Sequence, residues 1–575
     1  RLQGVPLAWS QSFLSGWTVT GGDLQGEFVG SAGPDGLVLK PKSPLTISKL
    51  SVAQGKKPFL NDVDLSLTAS ADYTPQGWQA VVSSFTAKNG AATLLTLEGK
   101  AGQLAGKDRP VKATGKLAVN VPTVLAQPVA EGLMQFTGGG ATIEFSTSIG
   151  LKQEFQAKLG VQDLTVDPKL SPEKLPAISA DLRADREANG KISLSLPVLM
   201  ERAGRKSDLS ITGSIMPEKA GYIIDAHVGS ERLVIDDIKI LIVPFGSAEE
   251  AATRGKNPPR DTVPVWQGLS GKLTLALKRI IYSEEFQVAD VTGTLRIDAG
   301  AVKLETVRAG MREGGEMKLS GALRFDSKVM EPYSLAAQFA LENFDSLPLF
   351  RAFDPSKPAT VEGKFNVASQ LTGTGANLSA LAAQTKGDVQ LISRSGIFRG
   401  LRSDTGEAVK AAPSTLSGIV TGIGSLLGKD IAEKAEKLGT DINKRGKGIS
   451  DIAAALAEIP YDQLSVSLVR DASLNVELKD FTLISPEVRL GGTGIVAYQP
   501  DMPFLTQTLD LQLQLGVRGK LAEQVKRASL LGEAQDSLGY VAFAFPVRVG
   551  GSLSNPDVSD LKRELVKAAA SLIGR

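Results

Sequence analysis

Few residues in this chain are of types that do chemistry, and they are poorly grouped. Three carboxylate pairs, Asp236-Asp237, Glu249-Glu250 and Glu284-Glu285, are the kind that glycoside hydrolysis uses, one carboxyl as acid and the other as base or nucleophile. Each falls at the end of a strand-like run or in a loop, where charges ordinarily mark solvated turns. Aromatic residues make up 5% of the chain, too few for a sugar-stacking cleft. The single histidine, His227, sits in Tyr222-Ile-Ile-Asp-Ala-His227-Val, an alternating stretch that reads as a strand and gives the imidazole a structural place. There is no cysteine, so thiol nucleophiles, disulfides and thiolate metal sites are excluded, and one histidine is too little for a zinc site or a triad. Gly138-Gly139-Gly140 is not followed by Gly-Lys-Ser/Thr and reads as a turn or bulge rather than a phosphate loop. No catalytic set, metal or cofactor is expected.

The elements that would have to position such residues are mostly strands. Gly, one residue, then an apolar residue opens a short alternating run at Gly115-Lys-Leu117, Gly190-Lys-Ile192, Gly213-Ser-Ile215, Gly271-Lys-Leu273, Gly293-Thr-Leu295, Gly321-Ala-Leu323, Gly363-Lys-Phe365 and Gly551-Ser-Leu553. Each reads as a strand with one apolar face, entered from a tight turn. The chain has 575 residues, which requires several domains or an extended repeat architecture. Its charges nearly cancel, 64 Lys and Arg against 62 Asp and Glu, with no basic stripe that would suggest nucleic acid.

Along the chain, residues 1–264 read as strands and loops, with a short helix from Val124 to Met134. Residues 233 to 243 form the most hydrophobic strand region, and residues 246 to 264 form an exposed loop. Residues 265–403 are a clean meander with connections too short for parallel crossovers. On one face of that meander stand Leu273, Leu275, Leu277, Leu295, Ile297, Val302, Leu304, Leu319, Leu323, Phe325, Phe339 and Leu341. Residues 404–460 switch to helical period, with Leu416, Ile419, Val420, Ile423, Leu426 and Leu427 on one helix face. Gly418-x-x-x-Gly422 and Gly424-x-x-x-Gly428 suit close packing of that helix on a sheet, or a face that lies on a membrane or plugs one end of the sheet. Strands resume in residues 461–575, and a helix from Ser559 to Ile573 ends the chain. No stretch has the roughly 20 apolar residues needed to span a bilayer. The first residue is Arg1, and a processed or truncated chain that has lost an N-terminal anchor is the expectation.

Several phrases occur in a telling order: Leu269-Ser-Gly-Lys-Leu-Thr-Leu275, Val291-Thr-Gly-Thr-Leu295, Gly314-Gly-Glu-Met-Lys-Leu-Ser-Gly321, Gly373-Thr-Gly-Ala-Asn-Leu-Ser-Ala-Leu381 and Lys386-Gly-Asp-Val-Gln-Leu-Ile-Ser-Arg-Ser-Gly-Ile-Phe398. Tyr461-Asp-Gln-Leu-Ser-Val-Ser-Leu468, the run Phe481 to Gly494 and Val549-Gly-Gly-Ser-Leu-Ser-Asn-Pro556 follow. Together they resemble the AsmA-like family of Gram-negative envelope proteins, whose wider relatives include TamB, YhdP and the bridge-like lipid transfer proteins. The resemblance covers residues 265 to 575 well and the first half in style. It implies an inner-membrane anchor, a periplasmic body and a long folded-over β sheet with a hydrophobic groove.

The expected fold is therefore mainly β: an elongated, curved antiparallel sheet forming a β-taco-like groove, with a small helical insert and a C-terminal helix. Roughly 25 strands at about 4.8 Å spacing would extend on the order of 120 Å if continuous. The helices are too few to cover so much apolar surface, so either two sheets pack face to face or the sheet curls into a groove that acyl chains line. The expected function is non-enzymatic carriage of phospholipid between inner and outer membranes. The expected partners are acyl-chain lipids, a membrane surface and envelope proteins. The alternative is a scaffold whose open sheet edge assists outer-membrane β-barrel assembly by strand addition.

Overall fold

The computed structural model describes residues 2–6, 16–55, 57–104, 109–130, 136–166, 175–242, 260–353, 356, 358–401, 451–471, 473–499, 502 and 506–573. The chain divides into two units. Unit 1 comprises Arg1–Asn257, Trp266–Tyr282 and Asp290–Ala299; unit 2 comprises Pro258–Val265, Ser283–Ala289 and Gly300–Arg575.

The principal strands of unit 1 are β1 (Leu24–Gly33), β2 (Gly36–Gln54), β3 (Lys57–Thr74), β4 (Gly77–Asn89), β5 (Ala92–Leu104), β6 (Val111–Asn120), β7 (Gly138–Ile149), β8 (Gln153–Thr165), β9 (Ala177–Arg186), β10 (Ile192–Arg202), β11 (Arg205–Glu218), β12 (Gly221–Ser230) and β13 (Leu269–Ile281). Sequential neighbours pair antiparallel from β1 to β12. Strict alternation sorts the side chains. Leu67, Phe85, Leu97, Leu117, Ile143 and Leu159 stand opposite one another in a row across six strands. The adjacent residues put Glu98, Lys116, Glu144 and Lys158 in a row of alternating charge on the other face, with Lys116 and Glu144 3.1 Å apart. Members of the apolar row are only half-buried. Each forfeits about 1 kcal/mol that full burial would have contributed. A small core gathers at one edge around Val63, Ala87 and Leu94, under Val124 of helix α1 (Val121–Leu125). That helix starts earlier than its sequence suggests because Asn120 caps it, accepting the Thr123 N–H, and Pro122 suits its first turn.

Three expectations need correction. First, residues 233 to 243 are not a strand: after a two-residue bridge at Leu233–Val234, Ile235–Ile242 is helix α2. A short apolar run fits either period, and Asp236-Asp237 in the first turn favours the helix end. Second, the sheet is not wholly antiparallel: β12 and β13 pair parallel. The connection between them is long enough for a crossover. Third, the recurring glycine rarely sits in a turn. Gly115, Gly213, Gly271, Gly321 and Gly363 all lie inside strands. At Gly115 a Cβ would stand 2.6 Å from the ring of Phe145, its cross-strand partner, so glycine makes room for a neighbouring side chain rather than for a bend. The Gly138–Gly140 run does bulge, with a register shift against Gln162–Thr165.

Unit 2 holds β14 (Ala301–Met311), β15 (Gly315–Phe325), β16 (Tyr333–Asp345), β17 (Val361–Gly375), β18 (Lys386–Phe398), β19 (Gln463–Arg470), β20 (Val476–Ile484), β21 (Val488–Ala497), β22 (Thr508–Val517) and β23 (Val547–Gly551), paired antiparallel in that order. Its helices are α3 (Leu347–Phe353), α4 (Leu378–Gln384), α5 (Gly519–Arg527) and α6 (Ser559–Ile573). Residues 451–457 are helical as well. Here the core is large: Ile452 and Leu456 from the helical turns, Leu521 and Val525 of α5, and Leu561 and Leu565 of α6 pack with Leu483, Leu490, Leu515 and Val547 of the sheet. The rest of the expected helical insert, residues 402–450, lies outside the described residues, as do Leu416, Ile419, Val420, Ile423, Leu426 and Leu427. Among the described residues no helix is long and apolar enough to cross a membrane.

Candidate functional site

The carboxylate pairs do not assemble a site. Glu284 and Glu285 are exposed on the turn after β13. Asp237 is not a solvated terminus, as its sequence position suggests. It is 3% exposed in α2 and 3.1 Å from the Arg202 guanidinium. Burial outweighs the attraction of Arg202 and holds its carboxyl above the ordinary range. Glu249-Glu250 lies outside the described residues. His227 stands on the polar side of β12, its Nδ1 3.0 Å from Thr274 Oγ1 on the parallel partner strand.

The feature that stands out is an apolar cavity in unit 2 of about 320 Å³, within the range of small-ligand sites. Cross-strand pairing builds its floor. Leu341 of β16 stands opposite Val367 of β17, Val367 opposite Leu391 of β18, Leu391 opposite Val466 of β19, and Val466 opposite Phe481 of β20. Gly492 of β21 takes the next place, where a Cβ would lie 2.7 Å from Leu513 Cδ2. The Leu513 side chain of β22 thus fills the gap and continues the apolar floor. Phe398 packs on Phe481 with ring centroids 5.7 Å apart. Leu349 and Phe350 of α3, with Leu553 and Pro556, complete the lining.

Among the described residues that line it, two side chains are polar, Ser346 and Thr360, and each donates to the protein backbone. Ser346 Oγ donates to the Val361 carbonyl at 3.1 Å, and Thr360 Oγ1 donates to the Leu553 carbonyl at 3.1 Å. Among the described residues the wall is otherwise apolar, and its two hydroxyl protons are already used, which suits an apolar ligand.

The surroundings hold this wall in place. Asp345 Oδ1 accepts the Leu347 N–H at 3.0 Å and starts α3. Arg399, at the exit of β18, donates to the Ala359 carbonyl at 3.2 Å and pairs with Glu362 and, at 3.3 Å, with Glu458. Tyr461, 2% exposed, donates to the Glu362 carbonyl at 3.0 Å and lies 3.0 Å from Ser393 Oγ. Burial pushes its phenol up from the ordinary value. Gly363 and Gly396 clear the space for this phenol: a Cβ on either would lie within 2.4 Å of Tyr461 Oη.

Of the residues expected to face a groove, Leu341 lines the cavity. Leu319, Leu323, Phe325 and Phe339 share its sheet face on β15 and β16 and are half-buried, as are Val302 and Leu304 on β14. In unit 1, Leu273 and Leu275 of β13 and Leu295 and Ile297 of the strand Gln287–Asp298 are half-buried, and Leu277 is buried at 7% exposure. The other residues of the cavity floor, Val367, Leu391, Val466, Phe481 and Leu513, are not distinguished by sequence from their alternating neighbours. Their alternation was legible, as in Leu464-Ser-Val466-Ser-Leu468, but their convergence depends on register across strands distant in the chain.

No curated protein matches the chain. Residues 246–431, less than half of the chain and including β13 to β18, match the AsmA family.

Proposed function

We propose that this chain is a non-catalytic lipid carrier of the Gram-negative envelope. It holds acyl chains against the apolar faces of its sheets and moves phospholipid between inner and outer membranes in the periplasm, supporting outer-membrane integrity. The observation that carries this reading is the unit 2 cavity, where the two polar side chains among the described lining residues are already hydrogen-bonded to backbone. An acyl chain needs nothing more: each methylene taken from water contributes about 0.8 kcal/mol, so about six would contribute roughly 5 kcal/mol. The match to the AsmA family supports an envelope role. Half-buried apolar rows in both units supply further surface of the same kind.

Strand addition for β-barrel assembly fits the C-terminal end of unit 2 less well. Past β22 the ladders are short, with strands Leu531–Gln535, Val541–Phe543, β23 and Pro556–Asp557. They offer little backbone for a further strand to pair with. A photoreactive residue in place of Val466 separates the two readings. Adducts of phospholipid mass support the carrier; adducts of nascent barrel strands, without lipid, would replace it with the scaffold.

A further inference from the structure

Unit 2 presents a cluster of bare apolar side chains along the edge formed by the strand ends where β16 begins. Met330 is 86% exposed and Val265 63%, and Val263, Val329 and Leu378 are exposed beside them in the chain segments joined here. Their backbone is well tied. The Arg260 guanidinium donates to the carbonyls of Ser327, Val329 and Met330 at 2.6, 2.9 and 3.2 Å. The Asp261 N–H donates to the Ala376 carbonyl at 2.9 Å, next to α4 and Leu378. The Val265 N–H donates to the fully buried Tyr333 Oη at 3.2 Å. Within the turn, Asp326 Oδ1 accepts the Lys328 N–H at 2.9 Å. Three segments are thus held together by hydrogen bonds that satisfy the main chain and leave the greasy side chains in water, an arrangement that folding alone does not reward.

A stripe leads away from this edge. On β15, Phe325, Leu323 and Leu319 share one face; opposite them on β16 are Tyr333, Leu335 and Phe339, and Leu341 follows at the cavity. From Leu335, two residues past the buried Tyr333, to Leu341 the half-buried stripe runs on the order of 20 Å at about 3.3 Å per residue.

We propose that the edge formed by residues 260–265, the turn 326–332 and Leu378 seats on a phospholipid bilayer, and that acyl chains pass from the bilayer along the β15–β16 stripe into the cavity. The second part rests on the carrier reading above. Continuity decides for a bilayer over a protein partner: a protein would need the patch but not a greasy path from it to a cavity. Charge does not supply the attraction. Arg260 and Lys328 are offset by Asp261, Asp326 and Glu331 on the same segments. Seating is therefore apolar insertion and is insensitive to screening.

The test is flotation of the whole chain with phosphatidylcholine vesicles at 0.1 M and 1 M salt. The chain should float at both salt concentrations, within twofold. The double variant Val329→Asp/Met330→Asp, checked to melt as the wild type does, should lose at least tenfold in bound fraction. Leu538→Asp, at an exposed leucine outside the cluster, should leave it within twofold. No flotation of the wild type, unchanged flotation of the double variant, or flotation abolished by 1 M salt would each overturn the docking edge. Lipid co-purified with a chain whose double variant still floats keeps the carrier and removes this edge. A chain that carries no lipid but loses flotation in the double variant keeps the edge and removes the carrier.

Discussion

Leu391 of β18 and Val466 of β19 stand directly opposite each other, although the chain between them includes the 402–450 stretch. The strands on either side of that stretch keep the register of the apolar row. Arg399 and Glu458, 3.3 Å apart, tie its two ends together. The floor of the cavity thus depends on a pairing between segments far apart in sequence.

Replacing either partner with a charge tests that floor. Val466→Asp or Leu391→Asp is expected to abolish retention of co-purified phospholipid, because the carboxylate would stand among apolar lining residues. Leu391→Ala is milder. The residue is half-buried, so the cost is about 1–2 kcal/mol, with lipid still bound. Urea unfolding together with lipid extraction separates the two outcomes.

Tyr461→Phe removes the phenol that binds the Glu362 carbonyl and contacts Ser393, which is 1% exposed. A loss of about 1–3 kcal/mol in urea unfolding is expected. Gly396→Ala should be worse, since its Cβ would lie 1.9 Å from the Glu362 carbonyl oxygen, a backbone atom that cannot step aside. Equal stability of Gly396→Ala and wild type would contradict this packing.

The sequence made the strands and the terminal helix legible, because each depends on local period. The alternation in Leu509-Asp-Leu-Gln-Leu-Gln-Leu515 is enough to identify β22, and Ser559 to Ile573 is helical as its pattern requires. What sequence hid is set by tertiary partners. Gly363 resembles a turn glycine until Tyr461 is seen to occupy the space beside it. Asp237 resembles surface punctuation until Arg202 is found against it. Ile235 to Ile242 fits a strand or a helix equally well by apolar count. Leu341 stands on the apolar face that its alternation predicts, whereas Phe481 and Leu513 join it at the cavity only through a ladder of pairings no single segment reveals.

Asp237 and Asp557 should respond to pH with opposite signs. Burial raises the Asp237 carboxyl above its ordinary value of 3.8, so the folded state holds that proton more tightly than the unfolded chain. Its favourable contribution is full below 3.8 and is lost as pH rises through the raised value. The Ser559 hydroxyl, and then its N–H, lower Asp557, whose contribution is present above 3.8 and lost as pH falls through the lowered value. Urea midpoints should show wild type gaining on Asp237→Asn, and losing ground to Asp557→Asn, as the pH is taken from 7 to about 3. A shift of the same sign for both variants would refute the assignment.

In unit 1, Lys116→Glu places a carboxylate opposite both Glu98 and Glu144. These groups are exposed, so the expected loss is about 1 kcal/mol and shrinks in 1 M salt. A loss independent of salt would mean that the charged row contributes through packing instead.

Native mass spectrometry of the detergent-free chain, purified from a phospholipid-containing host, addresses the carrier reading most directly. Wild type should carry adducts of phospholipid mass that disappear in Val466→Asp and persist in Lys116→Glu. A wild-type chain free of lipid, or adducts equally abundant in Val466→Asp, would contradict it.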